Sequence, residues 1–143
     1  MNNIKITICT ILGAAGAAIA SLFGGWTEDM ITLITVMAID FFLGLLIAAV
    51  FKKSPKSESG NVSSKSCFKG LCKKCTVLLF VLIAHRLDIS LGTDYIKPAA
   101  VIAFIVNELI SIVENAGIIG VPMPKIIIKA IELLKNKDGG SDA

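Results

Sequence analysis

The sequence predicts an all-α, polytopic membrane protein. It has four transmembrane helices and a C-terminal amphipathic helix in one membrane domain (residues 1–137), followed by a polar tail at 138–143. Three observations lead there. Of 143 residues, 55% are apolar and 17% charged, with a mean hydropathy of +0.80; soluble domains carry about 25% charged residues. The apolar excess is concentrated in long runs, and a strongly basic stretch divides the first two runs from the later ones. This composition argues against a water-soluble enzyme with a catalytic cleft. Four cysteines in 143 residues argue equally against a secreted disulfide scaffold.

The first span is expected over 6–27, between Lys5 and Glu28, with no charge inside it. Its 22 positions reach about 33 Å as a helix, against a hydrocarbon core of roughly 30 Å. A cleaved signal peptide is the rival reading, but the run is long for one and a second span follows at once. Gly24 and Gly25 mark its exit, and Trp26 falls at interfacial depth. The second span, 30–51, is interrupted only by Asp40 and is joined to the first by a short acidic turn, so the two form a hairpin.

Residues 52–74 form a basic loop. Lys52, Lys53, Lys56, Lys65, Lys69, Lys73 and Lys74 stand against Glu58 alone, seven positive charges less one, or +6. Short basic loops stay cytoplasmic, which places the amino terminus inside and the Glu28–Asp29 turn outside. The loop has no interleaved aromatics, so it fits anionic lipid better than nucleic acid.

The third apolar run, Cys75 to Ala84, is too short to span by itself. A helix over 71–89 crosses if Lys73 and Lys74 snorkel at one end and His85, Arg86 and Asp88 reach the other interface. Three spans plus an interfacial segment is the alternative. The fourth span, 98–117, opens at Pro98, where a missing amide donor costs little. It ends before Val121-Pro122-Met123-Pro124. Four spans put both termini in the cytoplasm. At 100° per residue, Lys125, Lys129, Glu132 and Asn136 fall within about 60° of one another. An amphipathic helix over 125–136 therefore lies on the inner leaflet or packs on a neighbouring subunit.

Two features bear on function. Gly13-Ala17-Ser21 and Gly16-Ala20-Gly24 are adjacent registers of small residues along the first span, and Gly44 adds one on the second. Small residues allow close backbone approach in lipid, within a bundle or between copies. The second feature is charge at membrane depth. Asp40 is expected to face protein or water, as a protonated acid bonded to a neighbour or as a pore-lining or assembly residue. On the fourth span, Asn107, Glu108, Ser111, Glu114 and Asn115 share an arc of about 120°. Such a face lines an aqueous path, or pairs with Arg86, His85 or lysines of other helices; a shallow helix would leave Glu114 and Asn115 at the interface. Cys72-x-x-Cys75, with Cys67 and His85 nearby, has lysines between its cysteines and enters the membrane, so no metal or cofactor is expected. No catalytic constellation is present in the sequence.

Asn107-Glu108-Leu109-Ile110-Ser111-Ile112-Val113-Glu114-Asn115 and the following Gly120-Val121-Pro122-Met123-Pro124 resemble the NExxSIxEN and G-hydrophobic-P-x-P patterns of the toxin-secretion/phage-lysis holins of Gram-positive bacteria and their phages. Ser66, Gly70, Leu71, Lys73, Lys74 and Asp88 resemble the family's mid-chain pattern, and Asp40 with Gly44 its Asp-x-x-x-Gly. Cys67, Cys72 and Cys75 lie outside it. The resemblance implies a non-enzymatic protein of the bacterial cytoplasmic membrane that homo-oligomerises and opens a non-specific lesion. Host-cell lysis then follows release of a cell-wall hydrolase, or a toxin is secreted. The residues by themselves also admit an accessory membrane subunit binding a larger partner, or a small ion or metabolite transporter using Asp40 and Glu108.

Overall fold

The computed structural model describes residues 2–56 and 58–139; most of the polar tail expected at 138–143 lies outside the described residues. The described chain is all-helical: α1 (Asn2–Leu22), α2 (Glu28–Leu46, running on as a π-helical segment, Ile47–Phe51), α3 (Ser64–Leu91), α4 (Ile96–Ile119) and α5 (Lys125–Gly139). Three helices are long and apolar enough to cross a membrane by length and composition: α1, α2 with its π-helical extension, and α4. The charged α3 is not among them.

The helices start and stop for local reasons. Glu28 and Asp29 occupy the first turn of α2, where negative charge meets the positive end of the helix dipole. Ser63 caps α3 by accepting from the Ser66 amide. Gly92 and Gly120 end α3 and α4 in the left-handed conformation, and Pro122 and Pro124 prevent resumption after α4. Hydroxyls within the apolar helices, at Thr7, Thr10, Thr32 and Thr35, bond to the carbonyl one turn back. They therefore need no partner from the surroundings.

α4 is the central helix, packed against α2, α3 and α5. Its inward stripe of Val101, Ile105 and Ile112 meets Met30, Leu33, Val36 and Met37 of α2 and Val81 of α3. The π-helical turn carries Ile47 and Ala48 inward, and Lys52, at φ 52°, closes it. Across the loop Gly60 is required: a Cβ there would come within 2.2 Å of the Lys52 carbonyl oxygen.

Two expectations need correction. The basic segment 52–74 is loop only in its first half, because α3 begins at Ser64 and carries Lys65, Lys69, Lys73 and Lys74 on its opening turns. The dense run of turn-forming residues ends near the Ser63 cap, and 64–74 contains no proline; its single Gly70 weakens a helix without stopping it. The third helix consequently runs over Ser64–Leu91, not 71–89. The other helix ends differ from the expected ones by a few residues. The largest offset is in α1, which begins at Asn2 and stops at Leu22 because Gly24 and Gly25, both at positive φ, turn the chain.

The end of the bundle holding the turns after α1 and α3 is tied by side chains. Asp88 accepts from the Thr93 hydroxyl (2.6 Å) and from the amides of Ile96 (3.0 Å) and Lys97 (2.7 Å). The last residues of α3 thus cap α4, whose own N-cap residue, Tyr95, makes no side-chain cap. The Lys97 ammonium donates to the Phe23 carbonyl at the end of α1. His85 packs so close to Gly24 that a Cβ there would sit 2.6 Å from its ring.

Candidate functional site

Asp40 lies on the inward stripe of α2 with Met30, Leu33 and Met37, and is 5% exposed. Glu108 and Asn115, seven residues apart on α4, are 7% and 6% exposed. The sequence does not single out the group that meets them. Lys74 reaches in from α3 and bonds both carboxylates, 2.9 Å to Asp40 Oδ2 and 2.6 Å to Glu108 Oε2. The Asn115 amide donates to Asp40 Oδ1 at 3.0 Å. Two carboxylates and one ammonium give the cluster a formal charge of −1. No buried side-chain polar atom lacks a partner among the described residues. Charges at this depth are costly unless paired, and here three helices each contribute one. The cluster therefore joins α2, α3 and α4 at a single point.

Above the cluster, toward the 52–63 loop, the same three helices enclose an open cavity of about 790 Å³. The polar arc of α4 divides between the two. Asn115 is buried in the bundle interior, Asn107, Ser111 and Glu114 line the cavity, and Glu108 does both: with Asp40 and Lys74 it forms part of the cavity wall while remaining buried. Gly44 lines it too, about 4.0 Å from the Lys56 ammonium with a Cβ in place, so it faces an open space and not another helix. Of the basic residues, Lys56, Lys69, Lys73 and Lys74 border the cavity, whereas Lys52, Lys53 and Lys65 do not. Arg86 is exposed, and His85 contacts Gly24, so neither pairs with the α4 carboxylates. Among the described residues no group of His, Cys, Asp or Glu is arranged to hold a metal ion.

The small residues of α1 have a different fate. Ala20 is the one buried residue of that helix, lodged near Phe23, Met30 and Leu78. Gly13 and Gly16 have nothing facing them within 4 Å, and Ala17 and Ser21 are exposed. Gly24 stands beyond the helix in the turn.

The model of the bacteriophage holin family matches residues 17–136. The chain belongs to that family. An uncharacterised protein of Halalkalibacterium halodurans is 38% identical over 128 residues, 85% of this chain and 89% of that protein. One from Listeria innocua is 35% identical over 89% of this chain and 86% of its own length. An uncharacterised 14.9 kDa protein in the nagH 3′ region of Clostridium perfringens is 32% identical over 96% and 99%. No solved structure matches. The holin family match takes in the whole Asp40–Lys74–Glu108–Asn115 cluster and leaves out the first 16 residues, most of α1.

Proposed function

We propose that this holin-family protein accumulates in the bacterial cytoplasmic membrane, homo-oligomerises and opens a non-specific lesion, releasing a cell-wall hydrolase or an exported toxin without catalysing a reaction. The observation that carries this reading is the contrast between α1 and the rest of the chain. The unit α2–α4 pairs its buried charges internally. α1, 21 residues long, contributes one buried residue and leaves most of its small-residue face open. In lipid such a face gains little from tail contact and much from another helix at close range, which supports association between copies.

The test is controlled expression in a bacterium, following dye entry and release of a cytoplasmic reporter enzyme. The expected result is abrupt loss of membrane integrity. A benign outcome on expression alone favours an accessory subunit, and saturable dependence on one solute favours a transporter. Ala17→Leu should leave the monomer intact, because Ala17 is exposed, while shortening the ladder of crosslinked oligomers and delaying lysis. Wild-type ladders and timing would remove α1 from the assembly. Ala20→Leu is a poorer probe, since Ala20 already packs within the chain.

The proposed topology has four spans with both termini cytoplasmic. α3, at 28 residues, measures about 42 Å as a helix, long enough to cross while its opening lysines reach headgroups. In a background lacking Cys9, Cys67, Cys72 and Cys75, a cysteine at Ser59 or Asn136 should label from the cytoplasm and one at Glu28 from outside. Labelling of Ser59 and Asn136 from opposite faces would show that α3 does not cross.

A further inference from the structure

We propose that the cavity between α2, α3 and α4 is a binding site for one anionic glycerophospholipid with a polyol headgroup. The inference rests on the membrane reading above, and on the 52–63 loop lying at headgroup depth.

Three properties of the cavity select this ligand. The first is its charge. Lys56, Lys69 and Lys73 border it, and among the described residues only Lys74 is engaged in an ion pair. Lys69 and Lys73 are one turn apart on the same face of α3, a like-charge pair that an anion between them relieves. Ser63 and Ser66 bring the positive end of the α3 dipole to the same wall. A phosphodiester fits there, whereas a quaternary ammonium headgroup would meet like charge.

The second is the opposite wall. Ser111 and Glu114 of α4 line it and offer hydrogen-bond acceptors, which a phosphate lacks the donors to use but the hydroxyls of a glycerol headgroup satisfy. The third is size and depth. The cavity volume of about 790 Å³ lies in the range of roughly 300–1,000 Å³ typical of sites for whole small molecules. Part of its lining is apolar, from Phe41, Leu45, Val77 and Ile110, beside the mutually paired Asp40, Lys74 and Glu108. A free phosphate uses none of that surface; the glycerol backbone and first acyl carbons of a lipid do.

The test uses the full chain reconstituted in vesicles of phosphatidylglycerol diluted in phosphatidylcholine, floated, re-extracted in mild detergent and purified. Phosphatidylglycerol retained per protein is then measured by mass spectrometry. The wild type should retain phosphatidylglycerol in excess of its share in the vesicle. The double variant Lys69→Gln/Lys73→Gln should lose about tenfold of that preference, the scale expected for removing lysine contacts to an anionic headgroup. Lys56→Gln should lose part of it. Lys52→Gln/Lys53→Gln removes the same charge outside the cavity and should retain the wild-type preference. Equal losses in the two double variants would overturn the site in favour of diffuse surface attraction. Displacement of the lipid by millimolar glycerol 3-phosphate would overturn the lipid as occupant in favour of a free phosphate ester. Failure of the wild type to float would overturn the membrane reading itself, whereas flotation without lipid preference overturns the site alone.

Discussion

Lys74→Met should destabilise the α2–α3–α4 unit by about 3–5 kcal/mol, the cost of leaving buried charges without their partner. The side chain is close in length to lysine and apolar, so little packing is lost. What is lost is the ammonium that both Asp40 and Glu108 face at 2.9 and 2.6 Å. Denaturant unfolding of the detergent-solubilised protein, followed by near-UV circular dichroism, measures it. The triple variant Asp40→Asn/Lys74→Met/Glu108→Gln should regain most of the stability, because no uncompensated charge remains. Wild-type stability for Lys74→Met would mean that the cluster does not hold the helices together.

The second large effect is non-additive. Asp40→Asn and Glu108→Gln each remove one of two carboxylates and leave Lys74 with the other. Each single variant should therefore accumulate normally, with altered onset of permeabilisation, and each should shift stability by no more than about 1–2 kcal/mol. The double variant leaves the ammonium buried and unpaired and should fall by about 3–5 kcal/mol, well beyond the sum of the singles. Dye entry at matched membrane levels is the functional readout. Additive behaviour would show that the two carboxylates do not share one cation, and wild-type lysis in both singles would refute charge-dependent opening.

The helices were legible in the sequence wherever apolar length decided them, which is why α1, α2 and α4 emerge near their expected places. Asp40 was legible too, since a single acid in a 22-residue apolar run is conspicuous. Lys74 was not, although a signal existed. With Val77, Leu78, Val81 and Asp88 it falls within an arc of about 100° on α3, heading the stripe that packs inward. Counting it among seven lysines of a basic segment hid that register, because net charge ignores direction. The polar arc on α4 was grouped by angle, but angle alone does not tell which of its members meets a carboxylate 75 residues distant in the chain. Asp88 was hidden for a similar reason: it caps the next helix across a turn, so no local capping motif precedes α4.

The stitching at Asp88, Lys97 and His85 has a mechanical consequence. It fixes one end of the bundle as a pivot, while the opposite end is joined through a 12-residue connection, 52–63, that spans an open cavity. Motion of α3 against α2 and α4 is therefore a swing and not a slide. From Asp88 to Ser64 is about 36 Å, so a swing of about 10° carries the far end roughly 6 Å. Lys74, about 21 Å from Asp88 at 1.5 Å per residue, moves about 4 Å, enough to separate an ammonium from a carboxylate. A tilt small at the fixed end is thus a broken ion pair at mid-height and a gap the width of a side chain at the free end.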